Sequence, residues 1–427
     1  MVLAIGVFIV FLFLGMPVAF AIAISGAFYF LLTPDIPWVI LVQKSLSTTQ
    51  SFTMLAIPLF VFAGNLMNNT GITSRLVKLA NVMTGHMYGS IGQVSVVLST
   101  LMGGVSGSAV ADAAMECRIL GPEMKKRGYA PGWAAAVNSL SGLIVATIPP
   151  SMGLIIYGTV GEVSIGRLFV AGLVPGAIMC VAMMIATSQS AKYYKFMPDH
   201  PKPYPLKVIG KACWDSIWAL IFPFMLIIFI RFGLMTPSES GAFAVFYALF
   251  VGVFIYKELT LERFKTCVID SVKDLSVITM ILAFSGIFSY GVVYDQLPKY
   301  IADALVSITN TPIILLFTII VFLTVCGMFM ETTVITLIVT PILLPVVTRY
   351  GIDPVHFGII MMTTVTMGCS TPPVGVALYT CSNIMGCSVV ETTRYSWPWF
   401  LAILATLLVC VFCPKLILFL PNLVYGA

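Results

Sequence analysis

Five prolines in one half of this chain recur in the other at a single offset of 223 residues. Pro122, Pro131, Pro149, Pro150 and Pro175 pair with Pro345, Pro354, Pro372, Pro373 and Pro398, and Gly104 pairs with Gly327. The 25 prolines scattered over 427 residues would give about one such match at a chosen offset, so five mark an internal duplication. A proline inside a helix removes a hydrogen bond and clashes with the preceding turn. Matched Pro-Pro pairs therefore imply two halves, each with a helix interrupted at the same place. In apolar sequence that pattern belongs to secondary transporters, whose sites lie near the bilayer midplane.

The chain is apolar enough for this. Hydrophobic residues make up 59% and charged residues 9%, and mean hydropathy is +1.04. Weakly charged runs at 2–32, 54–67, 168–186, 217–230, 241–256, 277–293, 313–330 and 400–412 suit crossings of a hydrocarbon core about 30 Å thick. The longest polar connection, 191–211, leaves no room for a soluble catalytic domain. The reading is an all-α polytopic protein of the inner membrane, with the lipid bilayer as its solvent. The net charge of +5 marks topology rather than nucleic-acid binding. Lys125 to Arg127, the lysines of 191–211, and Lys257, Arg263, Lys265 and Lys273 fit three cytoplasmic loops. The run 2–32 reads as one retained first helix. The ten cysteines read as small buried hydrophobes, Cys410 and Cys413 among them, inside the last membrane helix.

Each half repeats one order of parts. An apolar segment leads to a short polar break, Ser106-Gly107-Ser108 or Glu331-Thr332-Thr333, and a second segment returns to a basic turn. These are expected to be re-entrant hairpins, at about 89–127 and 311–350. A broken helix follows each, at 131–163 and 354–387, interrupted at Thr147-Ile148-Pro149-Pro150-Ser151 and at Gly368-Cys369-Ser370-Thr371-Pro372-Pro373-Val374. Five crossings separate Pro131 from Pro354. An odd count turns the second repeat upside down relative to the first, which suits alternating access.

Unwound carbonyls with Ser and Thr hydroxyls make oxygen-rich cages of low charge. Only three histidines are present (His86, His200, His356), none at metal-cluster spacing. Two Na⁺ sites are therefore expected. One lies between Gly104, Ser106, Gly107 and Ser108 and the break at Thr147, Ile148, Pro149 and Pro150. The other lies between Glu331, Thr332 and Thr333 and the break at Gly368, Cys369, Ser370, Thr371 and Pro372. Substrate contacts are expected from Ser106, Ser108, Ser151, Thr332, Thr333, Pro373 and Val374, where four helix N-termini facing the centre would favour an anion. Asp112 has two readings, an electrostatic partner of the ion site or a structural hydrogen-bond acceptor. Glu116 reads as structural, and Glu331 as an ion-site residue.

The segments Gly15-Met16-Pro17-Val18-Ala19-Phe20, Ala56-Ile57-Pro58-Leu59-Phe60, Gly104 to Asp112, Thr236-Pro237-Ser238-Glu239-Ser240 and Thr371-Pro372-Pro373-Val374-Gly375 resemble the large membrane subunit of tripartite ATP-independent periplasmic (TRAP) transporters. The resemblance implies Na⁺-driven import of an organic acid anion by an elevator motion, in an ion-transporter-superfamily-like fold. It also implies a separate small membrane subunit and a periplasmic substrate-binding protein. Ser108-Ala109-Val110-Ala111-Asp112 is similar to the sialic-acid branch, with C4-dicarboxylates next. The implied division has scaffold at 1–83 and 212–293 and a transport body at 84–190 and 311–427, joined by a basic cytoplasmic connection at 191–211 and an interfacial arm at 294–310. Competing readings are a stand-alone Na⁺/dicarboxylate symporter or ion antiporter, a channel and an intramembrane enzyme. The last lacks a nucleophile–base pair.

Overall fold

The computed structural model describes residues 1–50, 52–103, 107–200, 202–308, 311–372 and 375–426, all helices and connections. The duplication extends through most of the chain, with Leu206–Asp215 and Pro414–Tyr425 outside it. Nine helices of the first half, beginning at Val2, Val18, Trp38, Ile72, Ser90, Ala109, Pro131, Met152 and Ile165, have partners beginning at Ile217, Pro237, Leu261, Leu297, Pro312, Thr332, Pro354, Val376 and Val389. Subtracting the paired starts gives offsets of 215 to 225. The main departure is the long helix Leu261–Tyr294, whose counterpart is split into Trp38–Thr49 and Ala56–Asn69 around a 3₁₀ turn.

The apolar run 2–32 is two helices, Val2–Phe13 and Val18–Leu32, and not the single first helix that its hydropathy suggests. Gly15 turns the chain with φ +80°, and Pro17, which has no backbone N–H, precedes the second helix. Cys413 lies just beyond helix Val389–Phe412 rather than inside it, and a further helix, Pro414–Tyr425, follows.

Two packing groups emerge. Val18–Leu32, Ala56–Asn69, Pro237–Phe250 and Leu261–Tyr294 pack on one another. Separately, Ile165–Tyr193 packs on Val389–Phe412 and on Pro354–Cys369, and Val389–Phe412 packs on Pro131–Ser141, so the two repeats interlock. Trp133 and Trp399 sit edge to face at 5.4 Å within that second group. Their indole N–H groups donate to Ser190 and Thr187, each at 2.8 Å.

The two hairpins differ in length, and only the second has both arms long and apolar enough to cross a membrane. The arms of the first, Ser90–Met102 and Ala109–Lys126, hold 13 and 18 residues, and the shorter arm is only about 20 Å long. That is too little to cross a bilayer core. The arms of the second, Pro312–Phe329 and Thr332–Arg349, are 18 residues each. Hairpin geometry adds no crossing, and two full crossings would leave the parity expected from the sequence odd as well.

One end of the bundle gathers the basic loops. Arg127 pairs with Asp199, the backbone of Asp199 donates to Gly85 at 2.9 Å, Ser216 donates to the Arg75 carbonyl at 3.2 Å, and Arg75 pairs with Glu258 at 2.8 Å. By the positive-inside rule this end is cytoplasmic.

Candidate functional site: a cavity where two hairpin tips meet two scaffold helices

Both broken helices fail where their prolines place the break. The first tightens into a 3₁₀ turn at Gly142–Ala146 and resumes at Met152, with a cis Pro149–Pro150 bond between. The second stays α-helical to Cys369 and resumes at Val376. Thr147 and Ser370 are fully buried. Such backbone is tolerated in a membrane only inside protein or along a cavity.

Each hairpin tip lies against a break. Gly107 has φ +68°, and a Cβ there would come within 2.8 Å of the Pro150 carbonyl oxygen and 3.1 Å of the Met152 nitrogen. In the second half, Thr332 Oγ1 and Cys369 Sγ are 3.4 Å apart, and the Gly375 N–H donates to Met328 O at 3.0 Å. The halves also cross. Ser139 and Ser370 share a hydroxyl contact of 3.1 Å, and Thr332 lies beside Gly153. Gly104, Ser106, Pro373 and Val374 lie outside the described residues.

Several hydroxyls expected to contact ion or substrate are committed locally. Ser151 donates to Ala146 O at 2.6 Å and caps the resumed helix by accepting from Leu154 N at 3.4 Å. Thr147 donates to Ile144 O and Thr371 to Met367 O, both at 2.8 Å. Their carbonyl oxygens and remaining lone pairs are the groups left to face a cation. Ile148 packs against Gly103 and Gly176. Gly368 serves packing, since a Cβ there would lie 2.6 Å from Gly327 Cα.

Asp112 is buried in the first turn of its helix. One helical turn on, Glu116 is fully buried and accepts from Ser99 at 2.6 Å, Ser95 at 2.7 Å and Ser141 at 3.2 Å. It thereby ties both arms of the first hairpin to the broken helix, a structural role. Glu331 occupies the N-cap position of the second hairpin's return helix without a side-chain capping bond, and the Thr333 hydroxyl lies 3.5 Å from its Oε1.

A cavity of about 470 Å³ lies between the tips and the scaffold. Ser108 to Ala111, Met152-Gly153 and Glu331 to Thr333 line one wall, so three helix N-termini border it. Among the described residues, the fourth N-terminus, at Val376, does not line it; Gly375 is held against Met328. The facing wall comes from Val61, Gly64, Asn65 and Asn68 of one helix and from Lys273, Asp274, Val277 and Ile278 of another. Asn65 Nδ2 donates to Ser271 Oγ at 3.0 Å and to Asp274 Oδ2 at 3.2 Å. The sequence assigns Lys273 to a cytoplasmic loop, but it lies within helix Leu261–Tyr294, and none of these wall residues is expected in the site from sequence. The available signals were two amides at i, i+3 in an apolar helix and a Lys-Asp pair at the head of an apolar run. Among the described residues no three His, Cys, Asp or Glu side chains converge as metal ligands.

Residues 5–416 match the family model described as tripartite ATP-independent periplasmic transporter, DctM component. The chain belongs to this family. The sialic acid TRAP transporter large permease protein SiaM of Vibrio cholerae is 34% identical to it, over 97% of each chain. The 2,3-diketo-L-gulonate large permease YiaN of Escherichia coli is 34% identical over 95% of each. The C4-dicarboxylate large permease DctM of Rhodobacter capsulatus is 30% identical over 98% of each. This TRAP large permease also shares its fold with the YdaH transporter of Alcanivorax borkumensis, at TM-score 0.60 and 12% identity over 87% of this chain and 86% of that one. It is a multi-pass transport permease of the bacterial inner membrane, not an enzyme.

Proposed function

We propose that this TRAP large permease imports an organic acid anion, released to it by a periplasmic binding protein, at the expense of a Na⁺ gradient. The observation that carries the reading is the cavity bordered by both hairpin tips and three helix N-termini. Each N-terminus contributes about half a positive charge toward an anion. The volume of about 470 Å³ falls in the range of about 300–1,000 Å³ typical of small-molecule sites. Sialic acid is the favoured substrate and a C4-dicarboxylate the next.

Two Na⁺ ions would sit where each tip meets its break: Gly107 and Ser108 with Thr147 to Pro150, and Glu331 to Thr333 with Cys369 to Pro372. Moving a charge through 100 mV costs or yields about 2.3 kcal/mol, so two Na⁺ per monovalent anion let the inside-negative potential drive uptake. The body formed by 84–190 and 311–427 slides against the scaffold of 1–83 and 212–293, with 191–211 as cytoplasmic connection and 294–310 as interfacial arm. Dense packing within each group supports this division, although Ile72–Thr84 packs on Ser90–Met102 and Leu261–Tyr294 on Thr332–Arg349 across the boundary. A small membrane subunit widens the scaffold.

The test is uptake of labelled sialic acid, diketogulonate and succinate into proteoliposomes, with and without binding protein and Na⁺ gradient. Uptake of one acid that needs both is the expected result. Uptake insensitive to the gradient would remove the coupling, and uptake without the binding protein would favour a stand-alone symporter.

A further inference from the structure

The cavity's scaffold wall is polar toward one end. Asn65 and Asn68 belong to the last turns of helix Ala56–Asn69, just before the segment where Arg75 pairs with Glu258 at the cytoplasmic end. Lys273 and Asp274 lie twelve and thirteen residues into helix Leu261–Tyr294, whose start adjoins the same end through Arg263 bonding Glu258 O at 3.0 Å. At 1.5 Å per residue, more than half of that helix lies beyond Lys273 on the far side. The polar part of the wall thus lies toward the cytoplasmic ends of both helices, while Val61, Gly64, Val277 and Ile278 carry it to mid-helix.

Among the described residues lining the cavity, Lys273 supplies the cationic side chain. Its ammonium is weakly engaged. Asp270, one turn back, lies 3.8 Å away, and the two side chains are 72% and 49% exposed, so the pair is screened and worth little. Asp274, by contrast, is held by Asn65, which leaves Lys273 available to an incoming anion.

We propose that Lys273 contacts the transported carboxylate only when the cavity faces the cytoplasm, and so sets affinity on the release side without affecting capture. This rests on the transport reading above. A scaffold residue can meet the substrate in one position of a sliding body and must lose it in the other. The contact retains the anion until cytoplasmic water and ions compete for it. It also gives the permease a different affinity on each face while the tips stay the same.

The experiment uses the full chain with its small subunit in proteoliposomes, with labelled sialic acid, or the diketogulonate or succinate ranked above it by uptake. Half-saturation is measured separately for external acid with binding protein and for acid on the cytoplasmic face in exchange. A charge-assisted hydrogen bond predicts that Lys273→Gln raises the cytoplasmic half-saturating concentration about tenfold and leaves the external value within about twofold. Lys273→Arg, which keeps the charge, retains the wild-type asymmetry. Equal shifts on both faces, no shift on either, or loss of cytoplasmic affinity in Lys273→Arg would overturn the proposal. Absence of transport by the wild-type chain is a separate result, and it would fall on the transport reading itself.

Discussion

Gly327 and Gly368 meet backbone to backbone. A Cβ on Gly327 would lie 2.8 Å from Gly368 Cα, and one on Gly368 would lie 2.6 Å from Gly327 Cα. The first arm of the second hairpin therefore rests directly on the second broken helix just ahead of its break. Neither contact can be relieved by rotating a side chain, because main-chain atoms are in the way. Alanine at either position is expected to separate the two helices and lower the apparent melting temperature in detergent, with uptake lost in parallel. Valine at Gly327 should be worse than alanine. A Gly368→Ala protein with wild-type melting and wild-type uptake would refute the close packing.

Gly107 makes the corresponding argument for the first hairpin. Its φ of +68° carries a penalty of about 1–2 kcal/mol for an L-residue, and the added methyl would press on Pro150 O at 2.8 Å. Gly107→Ala is expected to leave insertion and expression near normal but to cut uptake sharply and raise the Na⁺ concentration for half-activation. Purified yield together with Na⁺-dependent uptake separates these effects. Unchanged Na⁺ activation would mean that the tip does not need its approach to the break.

Much of this architecture was legible because proline and glycine act locally. The Pro149-Pro150 and Pro372-Pro373 pairs stop helices whatever surrounds them, and they locate the interruptions before Met152 and Val376. Hydropathy failed at Val2–Leu32, where chain length and composition suit one helix while Gly15 and Pro17 split it. The scaffold wall was hidden for a different reason. Whether Asn65, Asn68 or Lys273 faces a hairpin tip depends on which helices pack together, and periodicity within one helix carries no record of its neighbours. Ser151 was ambiguous on chemistry alone, since a hydroxyl after Pro-Pro suits a ligand and a helix cap equally.

Glu116 holds three hydroxyls, from Ser95, Ser99 and Ser141, in a fully buried network. Removing this acceptor costs three hydrogen bonds at about 0.5–1.5 kcal/mol each, offset in part because Ser99 also reaches Ser95 O at 3.0 Å and Ser95 and Ser141 reach each other at 2.7 Å. Glu116→Ala is expected to lower thermal stability clearly. Glu116→Gln, which keeps one carbonyl acceptor of similar shape, should lose less. Both variants should keep the wild-type Na⁺ dependence in whatever transport survives. A shifted Na⁺ dependence with unaltered melting would move Glu116 from the framework into the ion pathway.

Ser151 offers the sharpest separation between a cap and a ligand. Its hydroxyl bridges the break, donating to Ala146 O at 2.6 Å and accepting from Leu154 N at 3.4 Å. Loss of an N-cap costs about 0.5–2 kcal/mol, and Ser151→Ala should show that loss as reduced stability. Ser151→Thr, which keeps the capping oxygen, should recover most of it, and Ser151→Gly should lose only a few tenths beyond a well-capped helix. A substrate ligand would behave differently. Half-saturation for the transported acid would rise in alanine and glycine alike, and stability would follow neither. Melting temperatures and uptake measured on the three variants decide between the two. The hydrogen bonds favour the cap, because a hydroxyl that has spent its proton on Ala146 can offer a substrate only an acceptor, and an anion needs a donor.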